Sequence, residues 1–303
     1  MSTTLVTSSG GADRVGLDNL LGTNNHPMNG LAYNQEVLGG SLMGVIPLKE
    51  GRYACFFREY SRVVDGEIVQ EANKVLIVST VSGNSRVISL GVENETWKSL
   101  DVSGNMAYLL TEDDGDPWIH TIQASVDRVF LLGSFVAPTG TTSGGTQFDF
   151  DTSLSVVGGS LYVSCVHPEE GLFFARKSRA QSHSWSYSSG GVFQANRGGL
   201  LPQDGQDGTF EVQGAPHLVD IHGSLHLFDH AGNDVKVYKK NRYGAWEVHG
   251  EVVFPGESES VIGFCLVKEA PAYSVQGSRY TIPAVFSVSG EPITQHWVKA
   301  DIN

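Results

Sequence analysis

A glycine that opens a strand-forming segment returns at Gly51, Gly104, Gly159, Gly223 and Gly277, at separations of 53, 55, 64 and 54 residues. A period of that size, carried by turns rather than by residue identity, marks a chain that builds one supersecondary unit several times. The clearest copies run from Gly159 to Lys177 and from Gly223 to Lys240. Each has a glycine turn, an apolar strand, an acidic or glycine turn, and a second strand ending in basic residues, which is the layout of a β-hairpin. Looser copies start at Gly104, with a turn at Asp113-Asp114-Gly115, and at Gly277. A fifth with a longer turn starts at Gly51.

Short apolar strands precede most of these hairpins, at 44–48, 154–157, 217–221 and 261–264. Further candidate strands follow them at 86–90, 129–132, 184–187 and 245–248. Four strands per repeat describe a propeller blade. The predicted fold is therefore all-β: a single five-bladed β-propeller with four-stranded antiparallel blades. A two-sheet sandwich with evenly spaced strands is the alternative. Apart from 18–21, no window sustains apolar spacing at helical period, which argues against Rossmann, TIM-barrel and bundle enzymes.

Residues 1–30 read as a flexible arm and 31–303 as the propeller, with long loops at 137–146 and 196–214. Only five residues follow the third strand of the last repeat. The ring is therefore expected to close with an N-terminal strand, Leu31 to Leu38, on that blade's outer edge.

A formal net charge of −13, with no Lys/Arg cluster longer than Lys239-Lys240, argues against nucleic acid as a partner. Cys55, Cys165 and Cys265 are distant from one another and each sits in an apolar run, so they read as packed thiols rather than a disulfide or zinc framework. No stretch approaches 18 apolar residues, and the first residues have neither the basic region nor the apolar core of a secretory leader, so neither a membrane span nor a leader is expected. Synthesis in the cytoplasm is expected, with any release by a leaderless route. His217, His222, His226 and His230 crowd one repeat without the His-x-His spacing that aims two ligands from one strand face, so no metal and no cofactor is predicted.

Asp101 and Asp220 fall at comparable points of inner strands. Two carboxylates across a channel could serve as acid and base on a glycosidic bond, but the first repeat contributes no inner-strand acid. The aromatics point elsewhere. Trp185 and Trp246 follow their marker glycines by 26 and 23 residues, and Trp97 has similar polar surroundings. This layout over about residues 44–299 resembles the sugar-binding β-propeller lectins, in which a strand, a turn and a Gly-x-Trp element recur in each blade. The resemblance implies shallow sites where a tryptophan face stacks on a pyranose. Trp97, Trp185 and Trp246 would supply the rings, with Tyr187, Asn241 and Arg242 as polar partners. The function expected is a non-enzymatic recognition module binding a glycan or glycoprotein. A protein-interaction scaffold of a toxin, phage or secretion assembly, tied to its partner by the N-terminal arm, is the alternative, and a propeller glycosidase comes third.

Overall fold

A strand with apolar side chains on both faces needs cover on both sides, and that requirement shapes this molecule. The computed structural model describes residues 37–50, 52–79, 85–126, 128–141, 147–149, 153–167, 171–178, 185, 193–194, 216–221, 223–240, 246–254, 260–268, 274–276, 279–290 and 294–302. These form antiparallel sheets throughout, and no helix occurs among the described residues.

The first sheet is β1 (Val37–Pro47), β2 (Arg52–Val64), β3 (Glu67–Ser79) and β4 (Ser85–Ile88), paired in that order. The second repeats the meander with β5 (Thr96–Ser103), β6 (Met106–Asp113), β7 (Asp116–Ala124) and β8 (Val129–Val136). A two-stranded piece, β9 (Thr139–Thr141) and β10 (Gln147–Asp149), follows where a plain loop is expected from sequence. The third sheet holds β11 (Ser153–Val157), β12 (Ser160–His167), β13 (Gly171–Ser178) and β14 (Phe193–Gln194). The fourth holds β15 (His217–Ile221), β16 (Ser224–Ala231), β17 (Asp234–Lys240) and β18 (Trp246–Val253).

The last sheet differs. Both β19 (Val261–Leu266) and β20 (Ser274–Gln276) pair antiparallel with β21 (Arg279–Val288), at its 284–288 and 279–281 stretches. On the other edge of β21 lies β22 (Thr294–Ile302). Because β20 continues the line of β19, the sheet's four strands among the described residues lie three abreast.

The turns explain the glycine spacing. Gly104, Gly159 and Gly223 have φ of 62°, 78° and 79°, a left-handed conformation that costs glycine nothing. Two of the hairpins turn on Asp-Gly, with both residues at positive φ: Asp65 (52°) with Gly66 (86°), and Asp114 (50°) with Gly115 (90°). That is the primed turn whose twist matches the flanking strands.

The core is divided among the spaces between sheets. Trp97, Leu100, Ala107 and Leu109 pack with Phe56 and Ile77 between the first and second sheets. On the opposite face of β6, Tyr108 and Leu110 pack with Leu154 and Val163 of the third. Phe174, Leu218 and Tyr238 join third to fourth. Phe228 and Val237 meet Phe286 and Ile282 between fourth and fifth, and Cys55 and Phe57 meet Val267 and Val285 between fifth and first. The arrangement is propeller-like, with each sheet covered on both faces. Cys55 and Cys265 are free and buried. Burial raises both thiols, Cys265 to about 12, so they pack as apolar residues. The side chain of Cys165 lies outside the described residues.

Innermost strands carry a free edge, and its N–H groups need acceptors. The Leu154 and Val156 N–H groups donate to Ser99 Oγ (2.9 Å) and Asp101 Oδ2 (2.6 Å). Leu218 N–H donates to Ser155 Oγ (2.9 Å), Val261 N–H to Asn233 Oδ1 (3.3 Å) and Leu42 N–H to Ser287 Oγ (3.1 Å). Short polar side chains of one sheet thus occupy the open edge of the next. This accounts for the serines that interrupt otherwise apolar strands.

Candidate functional site

Inner strands β1, β5, β15 and β19 converge on a cavity of about 170 Å³. Its polar lining includes Ser41, Arg58, Lys98, Asp101, His217 and His230. β5 lines it with Lys98 to Val102, and a register shift between Trp97 and Ser99 interrupts the strand's alternation at the start of that stretch. Gly44 and Gly263 line it where a larger residue would not fit: a Cβ on Gly44 would overlap the Leu100 side chain, and one on Gly263 would come within 3.0 Å of Ser41 Oγ.

Asp101 is 4% exposed and fully engaged. Its Oδ1 accepts from the Val102 N–H (2.8 Å) and lies 3.2 Å from His217 Nε2. Its Oδ2 accepts from the Val156 N–H (2.6 Å) and from Lys268 Nζ (2.5 Å). Burial alone would disfavour the charged carboxylate, but the adjacent Lys268 ammonium and then His217 outweigh it and hold the group at about 2. Asp101 is therefore an ionised anchor that holds Lys268 and fixes His217 at the cavity wall. Asp220 does not share the site. It is exposed, and its Oδ1 accepts from the Gly223 N–H (2.7 Å) in the turn that follows β15. The expected acid pair across the channel is thus not formed by these two residues, because Asp220 alternates with His217 and Val219 onto the other face of the strand.

The crowded histidines also separate. His217 and His230 line the cavity, with His230 stacked on Phe264 at 6.1 Å. His226 is buried against His249, and His222 lies outside the described residues.

Two of the three tryptophans expected to bind a sugar are packed against neighbouring sheets. Trp97 is 2% exposed and donates from Nε1 to the Val92 carbonyl (2.9 Å). Packed in the core between the first two sheets, it presents no face to a ligand. Trp185 belongs to no strand, and the outer strand of its sheet is Phe193–Gln194 instead. The ring is tilted against Phe135 at 6.5 Å, with Lys177 Nζ 5.8 Å above it, so it packs against the second sheet. Trp246 opens β18 opposite Lys240. Trp185 and Trp246 therefore do not hold equivalent places, and the recurrence that tied them together is a coincidence of spacing. Tyr187, Asn241 and Arg242 lie outside the described residues.

No protein-family model matches the sequence, and no curated protein matches it. Solved structures do match in fold. The catalytic domain of a GH62 α-L-arabinofuranosidase from Coprinopsis cinerea is 11% identical, with a TM-score of 0.55 over 99% of this chain and 98% of that one. An α-L-arabinofuranosidase from Podospora anserina, solved with cellotriose, is 12% identical, with a TM-score of 0.54 over 100% and 98%. A putative hydrolase from Bacteroides ovatus is 11% identical, with a TM-score of 0.51 over 90% and 88%. The likeness is one of fold. The expectation of a non-enzymatic recognition module or interaction scaffold is corrected here: these neighbours are hydrolases, two of them arabinofuranosidases, and two of the three tryptophans proposed as binding platforms are packed against neighbouring sheets.

Proposed function

We propose that the chain is a propeller glycosidase acting in the axial cavity. The observation that carries this reading is the ionised Asp101 held at the cavity wall by Lys268 and His217, in a fold shared with arabinofuranosidases. Both Asp101 oxygens are committed, so Asp101 orients rather than exchanges a proton. The proton carrier is His217, which lines the cavity with one ring nitrogen tied to the carboxylate. An imidazole so held can deliver a proton to a departing glycosidic oxygen. Asp101 stabilises the imidazolium, and with the cavity's developing positive sugar centre the same negative charge is favourable. Arg58 adds positive charge around a single lining acid, with Lys98 beside it paired to Glu112 (2.9 Å), which suits a sugar bearing a carboxylate.

The test is turnover of a panel of aryl α-L-arabinofuranosides, β-xylosides, glucuronides and sialosides by the intact protein. Saturable release of the aryl group from at least one is expected. Absence of turnover across the panel would end the proposal.

The same proposal includes a five-bladed ring. Five four-stranded sheets and five apolar clusters among the described residues, one cluster joining the fifth sheet to the first, support it. The fifth sheet is one strand narrower than the others, which supports closure by a strand preceding Val37. Val37 and Leu38 themselves belong to β1, where Val37 pairs with Arg62, so the closing segment is shorter than the one expected from sequence. Residues 1–36 lie outside the described residues. Deleting them should lower stability by several kcal/mol, on the scale of a lost strand's burial. An unchanged midpoint in urea would refute the closure.

A further inference from the structure

Apart from the residues that line the axial cavity, a polar relay crosses the second sheet. Glu95 Oε2 accepts from Thr111 Oγ (2.5 Å) and lies 2.6 Å from His120 Nε2. On the other side of the ring, His120 Nδ1 is 2.6 Å from Ser134 Oγ. His120 is 3% exposed and Thr111 fully buried, while Ser134 is exposed on β8. The chain therefore runs from a held carboxylate, through a buried imidazole, to a hydroxyl at the surface.

Chemistry fixes the direction of the protons. A carboxylate only accepts, so the Glu95 contact places the ring proton on Nε2. In the neutral ring Nδ1 then carries the lone pair, and the hydrogen in the 2.6 Å contact is that of the Ser134 hydroxyl. Ser134 thus donates into the imidazole and keeps its own lone pairs free toward solvent. A nucleophile needs this polarity, with the base oriented by a third group.

The carboxylate end is held rigidly. Asn73 of β3 donates from Nδ2 to the Glu93 carbonyl (3.0 Å) and the Glu95 carbonyl (2.6 Å), and Trp97 Nε1 anchors Val92 in the same turn. At the other end, a register shift in the β7 and β8 pairing falls just before Ser134, beside Gly133. Among the described strands β8 pairs only with β7. Its bonds alternate between edges, so an outward N–H lies on Ser134 or on a residue beside it, where a developing oxyanion could be met. Val136 on the same face and the adjacent Leu132 are exposed apolar residues that would flank an acyl chain.

We propose that Ser134, His120 and Glu95 form a second, acyl-transfer centre that takes carboxylic esters with a short apolar acyl group. Ser134 Oγ adds to the ester carbonyl carbon as its proton passes to His120 Nδ1. Collapse of the adduct expels the alcohol, which takes that proton. Water then adds to the acyl-serine, again giving a proton to Nδ1, and the carboxylic acid departs as Ser134 Oγ recovers it. Glu95 holds the imidazolium in both steps, and Thr111 holds Glu95.

The experiment exposes the full-length native protein to a fluorophosphonate probe, maps the adduct by peptide mass, and follows p-nitrophenyl butyrate hydrolysis in parallel. The expected adduct is on Ser134, with labelling and hydrolysis both abolished in Ser134→Ala, an exposed substitution that leaves the fold intact. His120→Gln should slow both on the order of 100-fold or more. Labelling no faster in the native than in the urea-unfolded chain, an adduct on another residue, or undiminished hydrolysis by Ser134→Ala would each overturn the assignment and leave the relay a purely structural ladder.

Discussion

Replacing Asp101 with alanine should destabilise the protein by about 3 to 5 kcal/mol, the scale of breaking a buried ion pair by removing one partner. The loss has identifiable parts. The Lys268 ammonium is left in a low-dielectric wall without its 2.5 Å partner, and the Val102 and Val156 N–H groups lose their acceptor. Since Val156 belongs to β11 and Lys268 follows β19, a single side chain links three sheets. Combining Asp101→Ala with Lys268→Met removes the uncompensated charge and should recover part of the loss, a coupling that a double-mutant cycle in urea would measure. A cost below about 1 kcal/mol for Asp101→Ala, typical of a surface substitution, would show that Asp101 is solvated rather than structural.

Acidification should destabilise the protein in two stages that belong to different residues. His226 is buried, its Nε2 finds no hydrogen-bond partner, and burial is the main cause lowering it to about 4. In the unfolded chain a histidine binds its proton near 6.5, so between about pH 6.5 and 4 the unfolded state holds the extra proton. The stability associated with neutral His226 is full above that window and lost as pH falls through it, by up to about 3 kcal/mol at 1.36 kcal/mol per unit. His230 is shifted downward by burial as well and acts in the same direction. Asp101 follows at lower pH: its stabilisation is present above about 3.8 and disappears as pH falls through about 2. His226→Phe keeps a ring in the contact with His249 and removes the titrating group. Its unfolding free energy should vary less between pH 6.5 and 4 than that of the parent chain. An identical pH profile in the two proteins would contradict the assignment to His226.

The repeating unit of this fold is written in local chemistry, and that is why it could be read. Gly104, Gly159 and Gly223 are required by their positive φ, and the Asp-Gly pairs by their hairpins, so turn spacing reports blade spacing directly. Strand boundaries follow from apolar runs, as at His217–Ile221, which the sequence places correctly. The sites are not local. Asp101 meets Lys268 across 167 residues, and Glu95 meets His120 across 25. No spacing rule connects such residues until the sheets are stacked. The place of Trp97 was hidden for a related reason. In a sheet covered on both faces, polar neighbours in sequence say little about exposure: Trp97 has a glutamate, a threonine and a lysine beside it and is still core. The alternation of β5, interrupted by its register shift, decides which residues see the cavity, and that shift carries no glycine or proline to announce it.

The account turns on the axial cavity, and one comparison tests it most directly. The kcat/KM of the intact protein should be measured on whichever aryl glycoside it hydrolyses, and then again for His217→Gln, checked for an unchanged melting temperature. A fall on the order of 100-fold or more with the fold intact is the result expected when the group that moves the proton is removed. A folded His217→Gln protein that hydrolyses the same glycoside at the parent rate would contradict the account.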